Sequence, residues 1–223
     1  MSTDGRGLNL FDRSTKTFSY YLHDEKKNSI SNNSTGSICE DRKGNLWIGT
    51  TAGLSYLDKK PNRVYNYTTA DGLPNDVIFG ILEDTGGNIW ISTNKGISRF
   101  DPVKKGFKNF DVSDGLQSNE FKIQAFCKSH DGTMYFGDNN GFNTFFPDSV
   151  KDHLFVPPVL ITGFQIFNKE VPIAGDSTAS SPLKKDITAT KEITVSYKSS
   201  VISFEFASLN YTSPEKKKYA YML

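Results

Sequence analysis

The side chains with the most scope for chemistry in this sequence are hydrogen-bonding groups. Three short segments, residues 28–34, 71–76 and 114–120, are rich in Asn, Asp, Ser and Gln. These side chains carry paired donors and acceptors that match the hydroxyl groups of a sugar. A motif that recurs in each segment usually serves the turn itself, so the varying positions are the better contact candidates. We therefore predict ligand contacts from Asn75, Asp76, Gln117, Asn119 and Glu120.

Catalytic and metal-binding patterns are much weaker. The three histidines, His23, His130 and His153, stand alone, without the spacing that would bring two ligands onto one metal ion. The sequence contains no nucleophile elbow of the Gly-x-Ser-x-Gly type and no phosphate-binding glycine loop. The recurring carboxylates of 40–41 and 83–84 are predicted to cap turns. We predict no catalytic residue, no metal and no cofactor in this chain.

An internal repeat must position the polar segments. Gly-Asn-Leu-Trp-Ile-Gly-Thr at 44–50 returns as Gly-Asn-Ile-Trp-Ile-Ser-Thr at 87–93 and in weaker form at 132–138. Glycines anchor the same units at steps of 46, 43 and 45 residues, at Gly7, Gly53, Gly96 and Gly141. A period in this range with strand-like content is typical of a β-propeller blade.

Each unit resolves into four short antiparallel strands separated by Gly, Asp and Pro turns. The strands fall within residues 7–21, 37–68, 78–111 and 121–146, which is roughly three and a half blades. The fold class predicted for residues 1–153 is therefore an all-β, partial β-propeller. A ring of roughly four to eight blades would close. A four-blade ring would need the N-terminal strands to complete the last blade, which is a rare arrangement, so we favour a piece of a larger propeller.

Two residue types recur in register and are predicted to pack between blades. Trp47 and Trp90 occupy one slot of the repeat, and Tyr135 takes that slot in the next unit. Cys39 and Cys127 share another slot two blades apart, too far for a disulfide, and are expected to be buried.

The repeat ends near Pro157, and residues 154–223 are predicted to form a second domain. Apolar residues alternate at 164 and 166, at 193, 195 and 197, and at 202, 204 and 206, as in half-buried strands. Residues 174–191 are predicted to be a loop, and a further strand begins at Tyr219. Fewer than 70 residues remain from Pro157 onward, where an immunoglobulin-like sandwich needs about 100, so we predict a truncated immunoglobulin-like β-sandwich.

These motifs resemble a known family. The repeat and the Asp-Gly-Leu-Pro-Asn-Asp unit at 71–76 resemble the two-component regulator propeller repeat. The tail, with Phe-Glu-Phe-Ala-Ser-Leu-Asn-Tyr at 204–211 and Tyr-Ala-Tyr at 219–221, resembles the start of a Y_Y_Y domain. The combination is similar to the extracytoplasmic sensor region of hybrid two-component systems of Bacteroidetes, whose full proteins continue into a membrane helix, a histidine kinase, a receiver and a DNA-binding module.

The resemblance implies a function that composition alone does not. It implies a periplasmic sensor, anchored to the membrane through its parent protein, that recognises oligosaccharides and signals to polysaccharide-utilisation genes. Two alternatives stay open: a propeller enzyme such as a lyase or glycan-cleaving protein, and a protein-interaction scaffold.

The net charge of +1, from 26 basic and 25 acidic residues, gives no positive electrostatic field that would attract nucleic acid. The N-terminal residues lack the apolar stretch of a secretory signal. Open blade faces and strand edges predict self-association.

Overall fold

The computed structural model of this chain describes residues 1–60, 62–151, 158–175 and 180–209. Its contacts divide the chain into two compact units, Met1–Lys151 and Asp152–Leu223. The predictions for Pro157, for His153, for residues 210–211 and for the strand at 219–223 lie outside the described residues.

The first unit is a series of antiparallel sheets that follow one another along the chain. A two-stranded hairpin precedes two four-stranded blades and a three-stranded third blade. The strands are β1 (Leu8–Asp12) and β2 (Thr17–Tyr21); β3 (Thr35–Glu40), β4 (Leu46–Thr50), β5 (Gly53–Asp58) and β6 (Arg63–Tyr67); β7 (Ile78–Glu83), β8 (Ile89–Thr93), β9 (Gly96–Asp101) and β10 (Gly106–Phe110); and β11 (Phe121–Lys128), β12 (Met134–Asp138) and β13 (Phe142–Phe145). The prediction of an all-β partial propeller is confirmed. The helical elements in the described residues are single 3₁₀ turns.

Turn chemistry explains where the strands of a blade begin and end. Asp41 accepts backbone hydrogen bonds from Lys43 at 3.0 Å and from Asn45 at 2.8 Å, which closes the turn between β3 and β4. Gly53 opens β5 at a φ of 121°. A Cβ at that position would stand 2.5 Å from the carbonyl oxygen of Tyr67, so the turn requires glycine.

The two tryptophans pack between blades, as the repeat predicted. Trp47 is 2% exposed, and its ring lies 5.5 Å from that of Phe100 in the second blade. Trp90 is 1% exposed and lies 4.7 Å from Phe145 in the third blade. Each indole N–H donates to the aspartate that closes the turn of its own blade, at 3.3 Å to Asp41 and 2.9 Å to Asp84. The recurring aspartates therefore serve the fold, as expected.

The two cysteines differ in environment, and one expectation about them is wrong. Both are free thiols, Cys39 half-buried and Cys127 exposed. Burial and the nearby negative charge of Glu83 raise the pKa of the Cys39 thiol. Cys127 occupies the same slot but lies on the outward face of the third blade, where no described strand covers it.

The second unit contains β14 (Val159–Ile166), β15 (Lys169–Glu170) and β16 (Ile202–Ser208) in one sheet of order β15-β14-β16. Phe164, Leu183 and Ile187 form its buried core. The strand expected around 193–197 does not form. Ile193 and Val195 pack against that core from an irregular segment, so their alternation reflects burial without a ladder. The immunoglobulin-like sandwich stays a prediction.

Candidate ligand-binding site

The three blade-to-blade crossings share one end of the propeller unit, which we call the crossing-loop face. Each crossing leaves an outer strand and enters the innermost strand of the next blade. Each of the last two crossings is held by the glycine at the start of the third strand of the preceding blade. The N–H of Gly53 donates to the carbonyl oxygen of Asp76 at 2.8 Å, and the N–H of Gly96 donates to the carbonyl oxygen of Asn119 at 2.7 Å. The turns β4–β5, β8–β9 and β12–β13 reach the same face because the strands alternate in direction.

Two of the predicted contact residues make the same hydrogen bond in successive crossings. Oδ1 of Asp76 accepts the backbone N–H of Thr69 at 2.7 Å, and Oδ1 of Asn119 accepts that of Val112 at 3.0 Å. Asn33 does the same for His23 at 2.8 Å in the first crossing. One acceptor of each side chain is therefore committed to holding the loop.

Asn75 also belongs to a repeated device. Its Oδ1 accepts the N–H of Val77 at 2.8 Å, which closes a local turn. Asn32 makes the equivalent bond to Ser34 at 2.7 Å, and a serine hydroxyl at 118 makes it in the third crossing, at 3.1 Å. The amide Nδ2 of Asn75 has no hydrogen bond to any described residue, so it is open to another partner.

The recurring Asp-Gly-Leu motif is conformational, as expected. Asp71 and Asp114 each accept the N–H of the residue three positions earlier, at 2.8 and 2.9 Å, and complete a capping box around a single 3₁₀ turn. Gly72 and Gly115 then take φ values of 113° and 100°. The buried Leu73 enters the core between the first two blades. These positions hold the crossings in place; beside them Gln117 and Glu120 are exposed, and the other three candidates are half-buried.

Gln117 and Glu120 carry the most exposed polar groups among the predicted contact residues. The Gln117 backbone N–H donates to Asn143 Oδ1 at 2.8 Å, and its Nε2 donates to the carbonyl oxygen of Asn140 at 2.8 Å. The carboxylate of Glu120 has no hydrogen bond or ion pair to any described residue. The structure thus brings Gln117, Asn119 and Glu120 together in one crossing and leaves Asn75 and Asp76 in the crossing before it.

Sequence reasoning missed one feature of this face, a bulge in β11. From Leu73 to Trp90 the sequence spans 17 residues, whereas from Leu116 to Tyr135 it spans 19. The two extra residues fall in the innermost strand of the third blade, between Phe121 and Phe126. Comparing these spacings could have located the insertion, because a constant blade has a constant spacing.

Among the described residues, no group of three His, Cys, Asp or Glu side chains is arranged as ligands for a metal ion. The described helices are also too short and too polar to cross a membrane.

Comparison with known proteins gives the same repeat. The family described as two component regulator propeller matches residues 28–52 and 72–95, which are the first two crossings with the strands that follow them. Histidine kinase P4 of Formosa agariphila is 32% identical over 217 residues, which are 94% of this chain and 12% of that protein.

Solved structures show the same fold. The extracellular domain of the hybrid two component system BT3049 from B. thetaiotaomicron aligns with a TM-score of 0.69 and 28% identity, over 96% of this chain and 28% of that one. The extracellular domain of the one component system BT4673 from B. thetaiotaomicron aligns with a TM-score of 0.52 and 20% identity, over 92% of this chain and 38% of that one. This chain therefore spans about a quarter of the first structure and about an eighth of the curated relative.

Proposed function

Because the chain carries two-component regulator propeller repeats, we propose that it is a ligand-sensing part of the extracytoplasmic region of a hybrid two-component sensor. One observation carries this proposal: a sensor extracellular domain aligns with 96% of the chain at 28% identity. The chain itself would bind the ligand and transmit the signal of binding, and the histidine kinase activity would belong to another part of the full protein. A periplasmic location and membrane anchoring through the parent protein follow from the same proposal.

The proposed ligand is an oligosaccharide bound at the crossing-loop face. The amide Nδ2 of Asn75 and the carboxylate of Glu120 have no partners among the described residues. Both groups can therefore form hydrogen bonds with sugar hydroxyls. Asp76, Gln117 and Asn119 each keep part of their hydrogen-bonding capacity after serving the loop. Binding would then be signalled to genes for polysaccharide use.

We also propose self-association through the open blade faces. Phe142 is 61% exposed on the third blade, whereas Leu54 and Ile97, which hold the same position in the first two blades, are 0% and 1% exposed. The hairpin β1–β2 offers a complementary face in Phe11 and Phe18, whose rings lie 4.8 Å apart. A second copy that placed its hairpin against the third blade would bury both apolar faces. Light scattering of the chain at rising concentration tests this, and a Phe142→Glu variant should shift the population toward monomer.

The experiment for ligand sensing uses the full-length protein in a glycan-array screen followed by calorimetry on the best oligosaccharide. A hydrogen bond between uncharged groups contributes about 1 kcal/mol, and one to a charged group about 1.5–3 kcal/mol. Gln117→Ala should therefore weaken binding several-fold to tenfold, and Glu120→Ala by about tenfold or more. Asp71→Ala, which removes a loop-holding carboxylate, is the control for indirect effects because it should lower the melting temperature as well.

Other outcomes would decide against the proposal. Cleaved sugar products on prolonged incubation would favour a propeller enzyme. A protein partner recovered with no glycan bound would favour an interaction scaffold. Normal binding by both Glu120→Ala and Gln117→Ala would place the ligand elsewhere on the full-length protein.

A further inference from the structure

The innermost strand of the third blade departs from the repeat in a specific way. In the first blade Thr35 faces Thr50 and Ser37 faces Gly49, so a single residue bulges between them. In the second blade Ile78 faces Thr93 and Gly80 faces Ser92, with the same single bulge. In the third blade Phe121 faces Asp138, and the next registered pair is Phe126 with Phe136. The insertion therefore enlarges an existing bulge.

The enlarged bulge exposes three consecutive residues, Lys122, Ile123 and Gln124. Ile123 is 64% exposed, although it lies within a strand. Gln124 has a φ of 61°, the left-handed region that a side chain rarely adopts. The corresponding single residues Gly36 and Phe79 are half-buried. Nothing in the packing of the blade therefore requires the extra residues.

The bulge is placed where a propeller can reach a ligand. β11 packs beside β7 and β3, the innermost strands of the other two blades, so it lies next to the axis. It follows directly after Glu120, which ends the third crossing on the crossing-loop face. Enlarged bulges re-aim side chains and are over-represented beside functional sites. Strained backbone of this kind is also found at ligand sites more often than elsewhere.

The chemistry of these four residues suits an uncharged, hydroxyl-rich ligand. Glu120 and Lys122 carry opposite charges, so the site has no net charge to select an anion. Neither side chain, nor that of Gln124, has a hydrogen bond or ion pair to a described residue. Their carboxylate, ammonium and amide groups supply both acceptors and donors to hydroxyls. Ile123 adds an exposed apolar surface that can contact the C–H face of a sugar ring.

We propose that the bulge Lys122–Gln124, together with Glu120, forms a contact site for a neutral oligosaccharide. This inference rests on the proposed sensor function and adds the bulge of β11 to the ligand contacts on the crossing-loop face. The crossing loops hold the site in position, and the bulge determines which sugar is accepted.

The test removes the insertion while keeping the blade. Deleting Ile123 and Gln124 restores the spacing of the first two blades. The full-length variant should therefore keep or raise its melting temperature. Its affinity for the oligosaccharide found by array screening should fall at least tenfold. Gln124→Gly keeps the left-handed backbone and removes the amide, so it should weaken binding several-fold without lowering the melting temperature. Asn139→Ala, at an exposed position in the β12–β13 turn of the same face, is the matched control and should bind normally.

The possible results separate the two proposals. If the unaltered protein binds no glycan, the proposed function fails. If it binds and Gln124→Gly binds equally well, only the assignment to the bulge is overturned. A salt titration tests the ligand class. Affinity for a neutral sugar should change less than twofold between low and high salt, and a steep loss would show an anionic ligand and contradict the inference.

Discussion

The first two blades and the third blade derive from one repeat but use it differently. The first two bury Trp47 and Trp90 against the blade that follows, whereas Tyr135 in the same slot is half-buried on an outward face. The apolar residue that follows the glycine at the start of the third strand is fully buried in the first two blades and exposed as Phe142 in the third. Whether a residue of the repeat is buried therefore depends on whether a neighbouring blade covers it, and not on its position in the repeat.

A second difference concerns the polar residue at the end of the second strand of each blade. The buried hydroxyls of Thr50 and Thr93 accept the N–H of the residue two positions later, each at 3.0 Å, and donate to the carbonyl oxygen of the glycine three positions later, at 2.9 and 3.0 Å. In the third blade Asp138 stands there, and its carboxylate accepts from the Asn140 N–H at 2.7 Å and from Asn143 Nδ2 at 3.1 Å. The third blade therefore keeps the bond that closes this turn and replaces the bond to the glycine carbonyl with one from an asparagine of the following strand.

The largest test of this comparison is removal of an inter-blade ring. Trp90→Ala should destabilise the chain by about 3–5 kcal/mol, because it leaves a cavity against Phe110 and Phe145. Tyr135→Ala in the equivalent slot should cost less than half as much, because that residue is already partly exposed and no described strand covers its face. Urea denaturation of each variant gives both values. Equal losses would mean that the outward face of the third blade is covered in solution.

The aspartate of the turn between the first and second strands gives the next largest contrast. The Asp84 carboxylate is 4% exposed and accepts from the Asn88 N–H at 2.8 Å and from the Trp90 indole at 2.9 Å. The Asn88 amide Nδ2 donates to it as well, at 2.9 Å. Asp84→Ala leaves all three donors unpaired, so we expect a loss of roughly 2–3 kcal/mol. Asp41→Ala should cost less, because its bond to the Trp47 indole is longer, at 3.3 Å, and the site is less buried. Thermal denaturation under identical conditions measures the difference, and a larger loss for Asp41→Ala would contradict it.

Thiol reactivity should separate the two cysteines that share one repeat position. Cys127 is exposed, whereas burial raises the pKa of the half-buried Cys39 and lowers its thiolate fraction. Iodoacetamide near neutral pH should alkylate Cys127 roughly tenfold faster or more. Mass spectrometry of timed samples gives the two rates, with the unfolded protein in urea as the control in which they should converge. Similar rates in the native protein would indicate that the first two blades open readily.

The sequence predicted the parts of this molecule that repetition reveals. Strand positions, the inter-blade tryptophans and the capping aspartates all recur at a nearly regular spacing, and each recurrence is independent support. Exposure of Cys127 was missed, because burial depends on whether another blade covers that face. The irregular course of Ile193 and Val195 was missed as well, since an alternating apolar pattern is satisfied equally by a ladder and by an irregular segment on a core. Among the candidate site residues, the loop-holding bonds of Asp76 and Asn119 become visible only when the crossings are superposed in space.

The smallest expected effect lies in the turn of the third blade that corresponds to those of Asp41 and Asp84. The hydroxyl of Ser129 donates to Asp131, and this bond, followed by the Thr133 N–H, lowers the pKa of the Asp131 carboxyl. A carboxyl whose pKa is lower in the folded state stabilises the fold above its unfolded pKa, and that contribution is lost as the pH falls through the folded value. Because Asp131 is exposed and solvent screens it, its turn should respond to acid only slightly. In an NMR titration, Ser129→Ala should raise the Asp131 pKa toward its ordinary value, while Ser113→Ala, at the start of the third crossing, should leave it unchanged. An unaltered Asp131 pKa in Ser129→Ala would show that the backbone N–H alone holds the carboxylate, and the third blade would then depend on its turn in the same way as the first two.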